Sequence, residues 1–132
     1  MKLSTKGRYG LMAMYRLKTN YGLGPMSISD IAKEESLSEA YLEQLFTLLK
    51  RQKLVKSLRG ANGGYELSRD PKNIKIGEIL NALEGDMALS CNSMKDRPEC
   101  RNSGDCPTAD ILDKLQVKLN EVLNSVTLAD ME

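Results

Sequence analysis

From Ser27 to Lys50 the chain reads SISDIAKEESLSEAYLEQLFTLLK, and the way this stretch divides decides the fold. Ser27 or Ser29 is placed to cap a short helix through Ile31, Ala32 and Glu35, because a serine hydroxyl accepts from the free N–H groups of a first helical turn. Leu37-Ser38 then forms a tight junction. Ser38 becomes the N-cap of a further helix whose apolar face is Tyr41, Leu42, Leu45, Phe46, Leu48 and Leu49, spaced three and four apart. Two short helices separated by a few residues form a helix-turn-helix pattern.

Working outward, Ser4 to Lys18 carries apolar positions compatible with an amphipathic helix, at a helix-propensity cost from Gly7 and Gly10. The cluster Tyr21-Gly-Leu-Gly-Pro25 ends it. On the other side, Leu54 to Leu58 reads as a strand, Arg59 to Gly64 as a glycine-rich turn and Tyr65 to Ser68 as the return strand. Ile76, Ile79, Leu80 and Leu83 mark a short helix from Ile76 to Glu84. A last helix runs from Thr108, read as its N-cap, to Ser125, with Ile111, Leu115, Leu119, Val122 and Val126 on one stripe. Together these elements predict a mainly α fold with a small β-hairpin wing: a winged helix-turn-helix followed by a long C-terminal dimerisation helix. The domains expected are a DNA-binding unit over residues 1–75 and, over 76–132, a cysteine-containing sensor loop with the dimerisation helix.

Charge divides the chain in the same place. Residues 1–75 hold 14 Lys+Arg against 7 Asp+Glu, whereas residues 76–132 hold 5 against 11, so a net charge of +1 conceals halves of +7 and −6. A basic half beside an acidic one is the footprint of a protein that presents one part to a polyanion. No apolar run is long enough to cross a membrane and the N-terminus lacks an apolar signal core, so a cytoplasmic protein is expected. The sequence has no histidine, no phosphate-cradling P-loop and no nucleophile paired with a base, which argues against an enzyme.

A helix-turn-helix sets the start of its second helix against base edges in the major groove. Those residues are Ser38, Glu39, Ala40, Tyr41, Glu43 and Gln44. Gln44 can pair with adenine, Glu43 can accept from the cytosine amino group, and Ser38 and Tyr41 can reach phosphate or base. Tyr41 reads equally as a core residue. At the hairpin tip Arg59 stands beside Gly60 and further glycines that permit close backbone approach, which suits an arginine entering the minor groove. Lys2, Lys6, Arg8, Lys50, Arg51, Lys53 and Lys56 would supply phosphate contacts.

Cys91, Cys100 and Cys106 are spaced C-x8-C-x5-C in a stretch without period that contains Pro98 and Gly104. In a reducing compartment, three close cysteines point to a metal, cluster or redox site rather than to a disulfide framework. Thiolates are the usual iron-sulfur ligands, and three of them leave one position open. Zinc on three cysteines plus water or a carboxylate is the second choice of metal.

The opening Met1-Lys-Leu-Ser-Thr-Lys-Gly-Arg-Tyr-Gly10, the stretch Leu37-Ser-Glu-Ala-Tyr-Leu-Glu-Gln-Leu45 and the wing Arg59-Gly-Ala-Asn-Gly-Gly-Tyr65 closely resemble the Rrf2 family of winged-helix regulators, over nearly the whole chain. The resemblance implies a homodimer whose long helices, here residues 108–125, cross and set two wings on a pseudo-palindromic double-stranded DNA operator. It implies DNA reading by Ser38, Tyr41, Glu43 and Gln44 with Arg59 in the minor groove. For iron-sulfur-sensing members of the family the resemblance implies that the cluster-bound dimer represses cluster-assembly genes, and that a glutamate equivalent to Glu43 rejects one class of site in the cluster-free form. The same members hold a [2Fe-2S] cluster on three cysteines at this place, with a histidine as fourth ligand. Here the histidine's slot is Ala109 and the first cysteine interval is longer. Other members use an acidic residue of the partner's first helix, where this chain has Arg8. Asp105, Asp110, Glu99, solvent or a small thiol remain as fourth ligands. A cysteine-metabolism branch, controlled by thiol oxidation or a partner protein without a cluster, is the alternative.

Overall fold

The computed structural model describes residues 3–85 and 107–131, in the order α1 (Thr5–Thr19), α2 (Ile28–Glu35), α3 (Glu39–Arg51), β1 (Val55–Leu58), β2 (Gly64–Leu67), a 3-10 turn (Pro71–Asn73), α4 (Ile76–Glu84), α5 (Pro107–Ser125) and a second 3-10 turn (Leu128–Asp130). Local chemistry sets most of the boundaries. The Ser27 side chain accepts from Asp30 N–H and the Ser38 side chain from Tyr41 N–H, so both serines cap their helices as the sequence predicts. Between the two helices Ser36 takes the left-handed conformation (φ 56°, ψ 41°), and its N–H and that of Leu37 both donate to the Ala32 carbonyl.

β1 and β2 form an antiparallel pair with Val55 opposite Leu67 and Leu58 opposite Gly64. Met26 adds one bridge to Tyr65, closed by N–H to carbonyl bonds of 2.9 and 2.8 Å in the two directions. Gly64 is required at that point. Its φ is +152°, and a Cβ there would overlap the Met26 carbonyl.

Phe46, Met14, Ile31, Leu42, Leu45, Leu49, Leu54, Ile74, Ile79 and Leu128 are fully buried and form one core. Phe46 stacks on Tyr65 with ring centroids 4.6 Å apart, which fixes the hairpin to α3. α4 closes the core against α1, with Gly10 of α1 facing Leu83; a Cβ at Gly10 would overlap Leu83 Cδ1 and lie 2.9 Å from Cδ2. The glycine counted as a propensity cost is therefore what lets the two helices meet.

Two sequence expectations change. α5 begins at Pro107, so Thr108 lies inside the helix and is not its N-cap; proline's fixed φ and missing N–H suit a first helical position. Val126 is not on the helical stripe. The helix stops at Ser125, Val126 O accepts from Ile76 N–H at 2.9 Å, Thr127 bridges Lys75, and Leu128 returns to full burial in the core. The core thus draws on both sides of residue 75.

Candidate nucleic-acid interface

α3 separates cleanly into two faces. Leu42, Leu45, Phe46 and Leu49 are buried, whereas Glu39, Ala40, Glu43, Gln44 and Thr47 face outward. Glu43 and Gln44 are thus free to reach base edges, and Thr47 Oγ1 is held by the Glu43 carbonyl at 2.7 Å. The Ser38 hydroxyl is exposed but already engaged as a cap. Tyr41 takes a mixed position. Its ring is half-buried edge-on against Tyr9 (6.1 Å, 86°), and its hydroxyl is buried without a hydrogen-bond partner among the described residues.

The wing presents Arg59 and Gly60 to solvent, with Gly60 at φ +117° and its carbonyl accepting from Gly63 N–H at 3.0 Å. Gly63 is forced by the turn, since a Cβ would overlap the Leu58 carbonyl. Behind the tip, Lys50 Nζ donates to Ser57 Oγ at 2.9 Å and Lys56 pairs with Glu66 at 3.1 Å, so two of the predicted phosphate-binding lysines are held against the hairpin. Lys53 is exposed and held left-handed (φ 61°), its carbonyl accepting from Ser68 Oγ at 2.6 Å. Arg51, Lys6 and Arg8 are exposed, and Lys2 lies outside the described residues.

Two ion pairs brace the scaffold. Arg16 bonds Glu35, whose carboxylate raises the guanidinium pKa further, with Glu34 adding to it. Arg69 bonds Glu78 at 2.7 Å; burial opposes the Glu78 charge, but hydrogen bonds from Lys75 N–H and Arg69 prevail and hold its carboxyl below the ordinary value.

α5 carries no buried residue. Ile111, Leu115, Val117 and Val122 are exposed, Val122 to 61 %, although Leu123 sits against Gly77 of α4. Cys91, Cys100 and Cys106 lie outside the described residues, as do Glu99 and Asp105. The one remaining carboxylate named as a fourth-ligand candidate, Asp110, is exposed in the first turn of α5. Among the described residues no helix is long and apolar enough to cross a membrane.

A three-helix head with a glycine-tipped hairpin beside the outward face of α3 defines a winged helix-turn-helix DNA-binding protein. The chain belongs to the Rrf2 family: the family model described as an iron-dependent transcriptional regulator matches residues 3–132. The IscR regulator of Sodalis glossinidius is 35% identical over 99% of this chain and 78% of its own length. The CymR regulator of Bacillus subtilis is 40% identical over 99% of this chain and 89% of its own. Its structure, described as that of the global cysteine regulator, superposes with a TM-score of 0.79, covering 99% of this chain and 95% of that one. T. potens IscR superposes at 0.77 with 43% identity, over 99% and 85%. The protein is a DNA-binding transcription regulator and, like these relatives, not an enzyme.

Sequence reasoning missed the role of Gly7 and Gly10 and the return of Leu128. The glycines' spacing of three, which puts both on one face of α1, was the available signal; Leu128 offered none.

Proposed function

We propose that this regulator binds a pseudo-palindromic operator as a homodimer in the cytoplasm and represses or releases its genes according to an iron-sulfur cluster held by Cys91, Cys100 and Cys106. The observation that carries the reading is the C-x8-C-x5-C set between α4 and α5, in a chain whose family model is described as iron-dependent. Three thiolates are a fitting donor set for a [2Fe-2S] cluster, which would supply a redox-responsive, oxygen-labile group. The fourth donor differs from a histidine, since Ala109 fills that slot and the chain has none. Arg8, always cationic, is excluded as a ligand. Asp110, one turn into α5, is an oxygen donor of suitable type. Residues 1–75 form the DNA-reading unit and 76–132 the sensing and pairing unit.

For DNA reading, Ser38, Tyr41, Glu43 and Gln44 serve the major groove, Arg59 with Gly60 the minor groove, and Lys2 the phosphates. The exposed Ile111, Leu115 and Val122 on one side of α5 face a second copy of the helix, the arrangement that a symmetric dimer on a two-fold operator requires. The missing histidine and the likeness to a cysteine regulator support a second reading, in which the thiols themselves or a partner protein carry the signal.

Anaerobic purification followed by an absorption spectrum and assays of iron and sulfide decides between them, repeated on Cys91→Ala with operator binding measured on each sample. Brown protein whose colour and DNA selectivity both vanish in the variant supports cluster sensing. Colourless protein without iron or sulfide after anaerobic reconstitution removes it and leaves zinc, thiol chemistry or a partner.

A further inference from the structure

The start of α1 lacks the usual means of satisfying its free N–H groups. Ser4 occupies the N-cap position, but its side chain makes no bond into the helix, and no acidic residue stands in the first turn. The missing acceptor comes from the end of another helix. Glu84, the last residue of α4, places Oε1 so that it accepts from Ser4 N–H at 3.0 Å, from Ser4 Oγ–H at 2.5 Å and from Gly7 N–H at 3.1 Å. Room for it exists because residue 7 is glycine: a Cβ there would overlap Oε1 and lie 2.7 Å from Leu3 Cδ1.

A carboxylate on three donors at a helix N-terminus is favoured both by the hydrogen bonds and by the positive end of the helix dipole. What it holds is the basic entrance of the chain. Lys6 and Arg8 project to solvent on either side of Gly7, and Lys2 precedes the cap in sequence.

We infer that Glu84 is a positioning residue for DNA binding: its carboxylate, reaching from the end of α4 in the same chain, caps α1 and fixes Lys6 and Arg8 where they meet phosphate. This rests on the reading that the basic start of the chain lies along the DNA backbone. Net charge alone would give the opposite sign, because an acidic group beside phosphate repels it and its removal would tighten binding. The last turn of α4 thereby becomes part of the DNA-binding apparatus without touching DNA, and anything that unwinds that turn frees the start of α1.

The test uses the full chain and a fluorescein-labelled duplex of arbitrary sequence, titrated across a range of salt concentrations, because binding to such a duplex reports the phosphates engaged. Glu84→Ala is expected to bind roughly fivefold more weakly at physiological salt for each phosphate no longer engaged, with the slope of log affinity against log salt reduced by about 0.9 per phosphate. Amide exchange at Ser4 and Gly7 should accelerate while that at Phe46 does not. Glu84→Gln, which keeps the acceptor, should restore most of the binding, and Gly7→Ala, which displaces the carboxylate and keeps its charge, should reproduce the weakening. If Glu84→Ala fails to fold by circular dichroism, these last two variants carry the test. Unchanged or tighter binding by Glu84→Ala, or by Gly7→Ala, with an unchanged slope, overturns the inference. Lys6→Ala separates the two readings: no effect on its slope removes the phosphate interaction, and the Ser4 and Gly7 exchange rates then decide the cap alone.

Discussion

Substituting alanine for Gly10 probes the crossing of α1 and α4 on which the head depends. The added Cβ would overlap Leu83 Cδ1 and lie 2.9 Å from Cδ2 and 3.1 Å from Cγ. Leu83 is only 4% exposed, so it has no solvent to swing into. Forcing a methyl into such a site costs about 1–3 kcal/mol, offset by about 1 kcal/mol of helix propensity when a glycine leaves a helix interior. A net loss of about 1 kcal/mol follows. Leu83→Ala alone should cost about 2–5 kcal/mol through the cavity it leaves. In the double variant the methyl of residue 10 enters that cavity, the overlap is gone and the propensity gain remains, so the glycine change reverses sign to about 1 kcal/mol stabilising, a coupling of about 2 kcal/mol. Urea unfolding followed by circular dichroism measures all four proteins, at one protein concentration because the proposed self-association would contribute to stability. Additive effects, or stabilisation by alanine in both backgrounds, would show that the helices do not meet at this point.

Other consequences concern the interface. Arg59→Ala should weaken operator binding by about 1–3 kcal/mol, relaxing sequence preference at the base step under the wing; unchanged selectivity in a competition assay would remove Arg59 from the minor groove. Leu115→Glu with Val122→Glu sets charges on the exposed stripe of α5, so sedimentation should give a monomer with intact helical content, and a dimer that survives would place self-association elsewhere. Glu78, whose folded pKa lies below 4.5, contributes stability present above its ordinary value and lost as pH falls through the folded one. The stability gap between the parent and Arg69→Ala should accordingly narrow on acidification, and a gap constant from neutral to acid pH would contradict the Arg69–Glu78 pairing.

The head was legible because its decisive signals are local. Ser27 and Ser38 cap within three residues of themselves, the periodic leucines of α3 share one face, and the glycines of the wing are demanded by the turn they occupy. What escaped depends on partners distant in sequence. Gly7 and Gly10 look costly until Glu84 and Leu83 stand beside them, and Leu128 is one leucine after a helix until the chain turns back to bury it. At Thr108 two local signals competed, a hydroxyl that can cap and a proline that can open a helix, and the proline prevailed. Tyr41 divides between the two roles the sequence allowed, its ring on Tyr9 and its hydroxyl inside. The three cysteines lie outside the described residues, so their spacing in sequence is what speaks for them.

The return of the tail gives α5 two unlike ends. Its C-terminal end is fixed to the head through Val126 O on Ile76 N–H, Leu128 N–H on Ile74 O at 2.8 Å and the burial of Leu128. Its N-terminal end follows Cys106 directly in sequence. A helix of 19 residues is roughly 28 Å long at 1.5 Å per residue, so it relates the cysteine end to the head as a rigid arm. In the proposed dimer the two arms are paired along their apolar stripes, and the angle at which they cross sets the separation of the two Arg59 tips. Under that proposal a ligand or oxidation at the cysteine end would not need to reach the head through α1–α3; biasing the crossing of the arms would suffice. That bias is limited by the difference in the ligand's affinity for the two crossings, and a tenfold change in operator affinity requires only about 1.4 kcal/mol of such difference.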